Sequence, residues 1–212
     1  MARRRAEPKD QRLTADRIVG AARAIARRDG IDAVSMRRLA EELDVWPMSV
    51  YRYFRDKDEL LDAVVGNAAA EVEPPDPSAP WREQIAEVAT AIRAALEPSD
   101  LAARLPQAAL SPGVLGLSEI GVSILTAAGF TPDDAARGWH LVLGYACSRP
   151  PAAPGRAAHS ALAGLPHDDY PALAAAAEPF AAALSDDGKA FAYGLDLLLD
   201  GLEQRLRTAA SA

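Results

Sequence analysis

Residues 44–57, DVWPMSVYRYFRDK, place four aromatic rings and three cationic side chains within fourteen positions. A buried segment seldom carries so many charges, and a solvated face seldom carries so many rings. Tyrosine offers a hydroxyl to a phosphate and an apolar body to a sugar, while Ser and Met side chains can contact base edges, including the thymine methyl group. Rings and cations together suit a surface that contacts DNA, and we expect this stretch to form one.

The elements that must position these side chains are two short helices joined by a tight turn at Asp44-Val45. The first is predicted to start after Ser35, and Pro47 suits the first turn of the second, where no backbone donor is lost. Val50 and Phe54, four residues apart, are expected to face the core. In such a helix-turn-helix the second helix lies in the DNA major groove. The side chains left for groove and phosphates are Met48, Ser49, Tyr51, Arg52 and Tyr53.

The net charge of −7 is divided unevenly along the 212 residues. Residues 1–60 hold 14 Lys and Arg against 11 Asp and Glu, whereas residues 61–212 hold 9 against 19. The first part can therefore meet phosphates while the acidic remainder favours solubility. Lys57, near the start of a fourth helix, is expected to bind a phosphate with its charge and nearby free amides. An excess of three charges is small, so charge alone does not decide the partner.

The remaining sequence is predicted to be helical almost throughout. A first helix runs from an N-cap at Thr14 to Gly30, and the fourth runs from Lys57 to about residue 70. The proline-rich stretch at 74–80 interrupts the helices, and the stretch at 149–167 is expected to be a connection. Further helical patterns cover about 80–96, 99–109, 113–128, 132–148, 169–184 and 186–208.

These patterns predict an all-α fold of about nine to ten helices in two domains. Residues 1–62 would form an N-terminal arm and a three-helix helix-turn-helix domain, and residues 63–212 a larger helical bundle for ligand binding and dimerisation. No apolar run is long enough to predict a membrane span. The single cysteine, Cys147, fits a reducing cytoplasm, and its apolar neighbours indicate a buried structural thiol.

Residues 14–65 resemble the DNA-binding domain of the TetR family of bacterial transcription regulators. The resemblance lies in an ordered set of features: the Gly-Ile turn after the first helix, SMRRLA at 35–40, VYRYF at 50–54 and KDELL at 57–61. The C-terminal part is similar to that of the tetracycline repressor subgroup. Trp81 opens a helix there, AAGF occurs at 127–130, and FAYGLDLLLDGLEQRL occurs at 191–206.

The resemblance implies roles for individual residues of the helix-turn-helix. Arg37 falls at the position that supplies an arginine to a guanine edge. Base-reading positions fall on Pro47, Met48 and Ser49, while backbone-binding positions fall on Ser35, Tyr51, Tyr53 and Lys57. Arg52 can serve either purpose, and the ring of Tyr51 or Tyr53 can alternatively pack in the small core.

The resemblance does not extend to the magnesium–drug site of the tetracycline repressor. The positions of its metal-binding His and assisting Thr fall near Leu105 and Ala108, and an upstream pocket His falls near Glu73. Apolar side chains cannot ligate Mg²⁺, which prefers oxygen or imidazole donors. His140, His159 and His167 show no metal-ligand spacing, so no metal and no cofactor is expected. His159 and His167 are expected to be solvated.

The helical bundle is expected to hold an apolar pocket, because pockets in such bundles are mostly lined by apolar side chains. Each candidate wall residue, considered alone, is better explained as an ordinary core residue. His140 either packs in the core or an interface, or points into the pocket and hydrogen-bonds an effector. The candidate walls are Leu105, Leu117, Ile120, Ile124, Trp139, His140, Leu143 and Phe180.

The apolar stripe of the last helix is wider than a helix covering one side of a bundle needs. Glycines seven residues apart on this helix would let a partner helix approach closely. Two helices from each subunit are expected to form a four-helix bundle across a two-fold axis, as in the family. The predicted interface residues are Val142, Tyr145, Gly194, Leu198, Gly201 and Leu202. The homodimer would present two recognition helices to a palindrome about one DNA turn apart.

The function expected is a cytoplasmic, ligand-responsive DNA-binding regulator. It would bind a palindromic operator as a dimer, most often as a repressor, and be released by an unknown small apolar or amphipathic effector. A constitutive DNA-binding regulator without an effector is the alternative, favoured if the bundle has a closed core. A helical enzyme is not expected, because no catalytic set or phosphate-binding loop occurs in a supporting context.

Overall fold

The computed structural model describes residues 13–96, 101–148, 164, 166, 168–185 and 187–210. The described residues form ten α-helices, two one-turn 3-10 helices at Ile31–Ala33 and Leu101–Arg104, and no strand. The predicted all-α fold is therefore confirmed. The helices are α1 Ala15–Asp29, α2 Met36–Glu42, α3 Pro47–Tyr51, α4 Lys57–Ala70, α5 Trp81–Leu96, α6 Pro112–Ala127, α7 Pro132–Ala146, α8 Pro171–Ala175, α9 Ala177–Ser185 and α10 Asp187–Ala210.

Local capping signals set the ends of the first helices as predicted. The Thr14 hydroxyl accepts a hydrogen bond from the Arg17 amide at 3.2 Å and begins α1. Gly30 ends this helix with φ +85°, a left-handed conformation that costs glycine little because it has no Cβ. The turn between α2 and α3 contains Asp44 at φ +53°, and Pro47 is the first residue of α3.

Helix α3 is shorter than the pattern at 44–57 suggested. It covers five residues, and the amides of Tyr53 and Phe54 both bond to the carbonyl of Val50 as the chain turns away. Phe54 is thereby buried beside the fully buried Val50, as the spacing predicted. Asp56 then caps α4, so one turn separates the two helices.

The chain divides into two compact units, Met1–Ile124 and Leu125–Ala212. This division differs from the functional boundary predicted at 62/63, which falls inside α4. In the first unit α4 packs on both α1 and α5, so its fully buried Leu60, Val64 and Val65 are shared between the two helical layers. The other fully buried side chains of this unit include Ile18, Ile25, Leu39, Ile85 and Ile92.

In the second unit α7 packs against α10. A Cβ on Gly138 would lie 2.8 Å from the Cδ2 atom of Leu202, so the absence of a side chain there allows the close packing. The rings of Tyr145 and Phe191 stack with centroids 5.3 Å apart. Four members of the predicted apolar stripe are buried on α10, namely Phe191, Leu195, Leu199 and Leu202.

Two helix predictions differ from the structure. The pattern at 99–109 predicted an α-helix, but 101–104 form a 3-10 helix followed by turns, because Pro106 lacks the amide that an α-helix would use. The pattern at 169–184 is divided into α8 and α9 at Ala176. Most of the predicted connection at 149–167, with His159 and His167, lies outside the described residues.

Candidate nucleic-acid interface

The predicted base-reading residues lie together on the exposed side of α3. Met48 is 72% exposed, Pro47 is exposed, and Ser49 is half-buried. Tyr51 and Arg52 are also exposed, and within the described part of the chain Arg52 forms no ion pair. Since Val50 and Phe54 anchor the opposite side, α3 presents a surface that a DNA groove can accept.

Arg37 projects from the neighbouring helix α2 with 86% of its side chain exposed. Its Nε donates to Glu41 Oε1 at 3.0 Å, one helical turn away. Among the described residues both terminal amino groups of the guanidinium have no partner. A guanine edge accepts hydrogen bonds from two such donors. Glu41 can therefore hold the Arg37 side chain in place while both terminal amino groups of its guanidinium remain available.

Ser35 and Lys57 lie at the starts of α2 and α4. The Ser35 hydroxyl oxygen accepts from the Arg38 amide at 3.2 Å, which leaves its hydrogen for a phosphate. The Lys57 ammonium donates to the Asp32 carbonyl at 3.3 Å. Asp56 Oδ1 accepts from the Glu59 amide at 2.8 Å, so one of the amides expected to be free beside Lys57 is occupied.

The carboxylate at the start of α4 is held in its charged form. The Glu59 amide and the Arg55 guanidinium hold the pKa of Asp56 below its ordinary value. A carboxylate whose pKa is lower in the folded state stabilises the fold at pH values above its ordinary pKa. This contribution is lost as the pH falls through the lowered pKa. At neutral pH this carboxylate is therefore negatively charged, and Lys57 is the cation that follows it in sequence.

Tyr53 is half-exposed, and its ring is not in the core. Its hydroxyl donates to the backbone carbonyl of Leu13 at 2.6 Å. The two alternatives weighed from the sequence were a phosphate contact and a core position. The structure shows a third arrangement, in which the hydroxyl binds the backbone just before α1.

Trp46 was not among the predicted site residues, yet it is 83% exposed directly before α3. It occupies the N-cap position of α3 without a capping hydrogen bond. The sequence contained a signal for this exposed residue. Trp46 directly precedes Pro47 and occupies an N-cap position, where Ser, Thr, Asp or Asn is preferred. Trp46 and Met48 are both exposed apolar side chains, which can contact a sugar or a thymine methyl group.

The candidate pocket residues of the first unit lie on the segment from the second 3-10 helix into α6. Leu105 and Leu117 are buried, whereas Ile120 and Ile124 are half-buried. Arg104 precedes this group and donates to Asp58 at 2.9 Å and Asp62 at 3.0 Å. These bonds join the segment directly to the first turns of α4.

The candidate pocket residues of the second unit differ in burial. Trp139 is 3% exposed, and its indole N–H has no acceptor in the described structure. Leu143 is buried, while His140 and Phe180 are exposed, so His140 does not pack in the core of its own chain. A buried indole donor normally finds a partner, so Trp139 is the side chain here with an unmet hydrogen bond.

The predicted interface residues also fall into two groups. Val142 and Leu202 are buried within their own unit, and the Tyr145 hydroxyl lies where a Cβ on Gly194 would be. That hydroxyl lies within hydrogen-bonding distance of the carbonyl oxygens of Ala190, at 3.2 Å, and Phe191, at 3.1 Å. Gly201 has open space around it, and Leu198 is half-buried.

The exposed apolar face of the second unit lies next to the predicted interface positions. It consists of Leu141 on α7 and Tyr193 and Leu197 on α10, with open space at Gly144 and Gly201. Residues 193, 197 and 201 share one face of α10, because they are spaced four apart. We call these five residues the α7–α10 face.

The fold and the exposed surface of α2 and α3 define a helix-turn-helix protein with a large helical bundle. The family model described as bacterial regulatory proteins, tetR family, matches residues 18–64. A second model, tetracyclin repressor-like, C-terminal domain, matches residues 73–206. The chain belongs to the TetR family of bacterial regulatory proteins. This family consists of transcription regulators rather than enzymes, and the resemblance found in the sequence is confirmed.

Three solved structures of two proteins show what the chain is similar to. Apo ActR from Streptomyces coelicolor has a TM-score of 0.82 and 32% identity, covering 93% of this chain and 98% of that one. ActR in complex with actinorhodin has a TM-score of 0.78 and 34% identity, covering 92% and 99%. BioQ with its natural double-stranded DNA operator has a TM-score of 0.63 and 28% identity, covering 90% and 98%.

A further relative is the transcriptional repressor DrrR1 of Streptomyces coeruleorubidus, 28% identical over 209 residues, which cover 90% of this chain and 77% of that protein. Other curated regulators match 56% of this chain. The chain spans about half the length of those proteins. No helix among the described residues is long and apolar enough to cross a membrane.

Proposed function

We propose that this protein is a cytoplasmic, effector-responsive repressor that binds a palindromic operator as a homodimer. The observation that carries the DNA-binding part is the exposed surface of α2 and α3, where Arg37 and Met48 project beside a buried anchor of Val50 and Phe54. In this assignment Arg37, Pro47, Met48 and Ser49 read bases. Ser35, Tyr51 and Lys57 contact phosphates, and Arg52 serves either purpose.

The first test is binding of the purified protein to the DNA flanking its own gene, across a salt series. We expect a footprint on a palindrome and a specific affinity that survives moderate salt. Weak binding that vanishes with salt and leaves no footprint on this DNA or on a genomic fragment library would contradict the proposal.

The effector is proposed to be a small, mostly apolar molecule with a hydrogen-bond acceptor. The buried side chains of Trp139 and Leu143 supply apolar surface, and the indole N–H of Trp139 supplies a donor without a partner in the described structure. ActR is a similar protein whose complex with actinorhodin has been solved. A carbonyl or phenol oxygen on an aromatic body would meet both requirements.

The effector signal is proposed to reach the DNA-binding helices through Arg104. This side chain is 22% exposed and joins the segment after α5 to Asp58 and Asp62 on α4. Because α4 begins at Lys57, a shift of the 3-10 helix would move a phosphate-binding residue. A ligand changes operator affinity only through such a difference between two conformations.

In coupled systems an effector typically changes affinity by about 5–150-fold. In Arg104→Ala the effector is expected to change operator affinity much less, or not at all. The two carboxylates on α4 would lose their link to the segment after α5, through which the signal is proposed to pass. The measurement is the ratio of operator Kd with and without the compound identified by an operator-release screen. Arg137→Ala is the matched control, since it removes an Arg–Asp pair confined to one helix. An unchanged ratio in the Arg104 variant would exclude this route.

The homodimer is proposed to form through the α7–α10 face. Its three large apolar side chains are each more than half exposed in the single chain, whereas Val142 and Leu202 serve the core of their own unit. Gly144 and Gly201 leave room for close approach of a partner helix. Four helices, two from each copy, would bury this face across a two-fold axis.

Leu197→Glu is expected to convert the dimer into a monomer at micromolar concentration, because it places a charge in the centre of the proposed interface. The fold should be unaffected, since Leu197 is 54% exposed. Light scattering coupled to size-exclusion chromatography measures the mass. Leu110→Glu, at an exposed leucine of the first unit, is the control and should leave the dimer intact. A Leu197 variant that remains dimeric would place the interface elsewhere.

A further inference from the structure

Large apolar side chains are exposed as a group around the second helix of the helix-turn-helix. Eleven large apolar or aromatic side chains are exposed in the described part of the chain, and four of them lie within residues 46–53, namely Trp46, Met48, Tyr51 and Tyr53. A single exposed apolar residue is common and needs no explanation, whereas a group of them marks a contact surface. Trp46 is the largest of the four and the most exposed, at 83%.

The backbone that carries Trp46 is held on both sides. The Val45 amide donates to the Ala40 carbonyl at 2.9 Å, and the Trp46 carbonyl accepts from the Ser49 amide at 2.8 Å. Pro47 disfavours helical backbone angles for the residue before it, and Trp46 has φ −71° and ψ 141°. A contact through this side chain therefore orders little additional backbone, which reduces the entropic cost of binding.

The fold of the chain makes little use of the Trp46 side chain. Trp46 occupies the N-cap position of α3 but provides no capping hydrogen bond, and most of its surface is exposed. A serine at this position would offer a hydroxyl oxygen to the first amides of α3, and serine is preferred over apolar residues at N-caps for that reason. The large, rigidly attached ring of Trp46 therefore remains available for a partner.

The chemistry of the indole limits which group of the DNA it can recognise. The ring has no charge and no acceptor, and its single N–H is its only donor. Most of its surface is apolar, and the apolar group on the base edges of the major groove is the C5 methyl of thymine. In a helix-turn-helix the N-terminal residues of the second helix contact base edges, and Trp46 directly precedes the first residue of α3.

We propose that Trp46 is a further specificity-determining residue, whose indole packs against the C5 methyl group of a pyrimidine in each operator half-site. In DNA this methyl group is carried by thymine or by 5-methylcytosine. The inference deepens the proposed function and rests on it for the existence of an operator. It adds recognition of an apolar group to the assigned base contacts, among which Arg37 binds the acceptors of a guanine edge.

The first experiment removes the methyl group from the DNA. Each thymine of the footprinted operator is replaced in turn by deoxyuridine, which lacks the C5 methyl. The wild type should bind at least one substituted operator roughly fourfold more weakly, which is the effect of losing one buried carbon. Trp46→Ala should bind that operator and the unsubstituted operator equally well.

The second experiment adds the methyl group to cytosine, and separates the two sources. Each cytosine of the operator is replaced in turn by 5-methylcytosine. A gain in the affinity of the wild type that is absent in Trp46→Ala would support the inference with 5-methylcytosine as the source, whereas a Trp46-dependent loss with deoxyuridine would support it with thymine. The inference is overturned if neither series gives an affinity ratio that depends on Trp46.

Trp46→Phe tests whether the apolar ring or the indole N–H makes the contact. It keeps an aromatic ring and removes the N–H, so it should retain most of the dependence on the methyl group. If Trp46→Phe lost this dependence as completely as Trp46→Ala, a hydrogen bond from the indole would explain the contact, and the packing against a methyl group would be overturned.

Two further variants serve as controls for folding and for exposure. Trp46→Ser should lose the dependence on the methyl group while unfolding at a urea midpoint no lower than that of the wild type, because its hydroxyl can cap α3. Leu110→Ala is the matched control for exposure, since Leu110 is also 83% exposed but lies just before α6. It should leave every affinity ratio unchanged, and a change equal to that of Trp46→Ala would count against the inference.

Failure of this inference is distinguishable from failure of the proposed function. A wild type that prefers its operator to unrelated DNA, without any Trp46-dependent ratio, would support the proposed function and overturn the methyl contact. Binding without preference for any sequence in a genomic fragment library would contradict the proposed function, and the inference would be overturned with it.

Discussion

Gly113→Ala is expected to lower the free energy of unfolding by about 1–3 kcal/mol, because it forces α4 and α6 apart. A Cβ on Gly113 would lie 2.7 Å from the carbonyl carbon of Gly66, closer still to its oxygen, and 3.2 Å from the Ala70 amide nitrogen. All three neighbours are backbone atoms of α4, which cannot turn aside as the end of a side chain can. Urea denaturation measures the effect as a shift in midpoint.

Gly116→Ala on the same helix is the matched control. No atom lies within 4 Å of the position that its Cβ would occupy. In a helix interior alanine is more favourable than glycine by roughly 0.5–1 kcal/mol, so this variant should be slightly more stable than the wild type. If both variants changed the midpoint in the same direction, close contact between Gly66 and Gly113 would not be what limits substitution at 113.

Arg37→Ala is expected to weaken operator binding by about 1–3 kcal/mol, roughly fivefold to more than a hundredfold, and to relax base preference at one position of each half-site. The physical reason is the loss of two donors that α2 presents to a guanine edge. Replacing Arg37 breaks only an exposed ion pair within one helix, which contributes about 0.3–0.5 kcal/mol, so folding should be retained. Binding to a set of operators with single base changes measures the effect.

Lys57→Ala provides the comparison for Arg37→Ala. A phosphate contact positions the protein without reading sequence, so this variant should weaken all operators alike and reduce the salt slope by about 1. Glu41→Ala removes the acceptor that holds Arg37 and should give a smaller loss with the same base dependence. If Lys57→Ala altered base preference while Arg37→Ala did not, the two assignments would have to be exchanged.

Much of the fold could be predicted because helix signals act over short stretches of chain. A hydroxyl at Thr14 or Ser35 caps a helix by binding an amide three residues later. Apolar spacing of four residues correctly placed Val50 and Phe54 inside. The pattern at 99–109 shows the limit, since the composition favoured a helix while Pro106 interrupted its hydrogen bonding.

The candidate DNA-contacting surface was only partly predictable. The order of motifs in residues 14–65 was sufficient for the family, and α2 and α3 expose most of the side chains named from it. The exposure of each side chain could not be predicted from the sequence, because it depends on which other parts of the fold cover that side chain. Trp46 was not predicted for this reason. The proposed interface is the α7–α10 face rather than Val142 and Leu202, because these two side chains are buried in their own unit.

The sequence by itself determined the helices, the family and the concentration of positive charge in residues 1–60, because these depend on composition and on spacings of a few residues. The tertiary structure decided which distant residues meet. Tyr53 binds Leu13 across 40 residues, Arg104 binds Asp58 across 46, and Gly113 lies against Gly66. Such contacts arise where packed helices cross, and helical periodicity sets the face of one helix but not its neighbour.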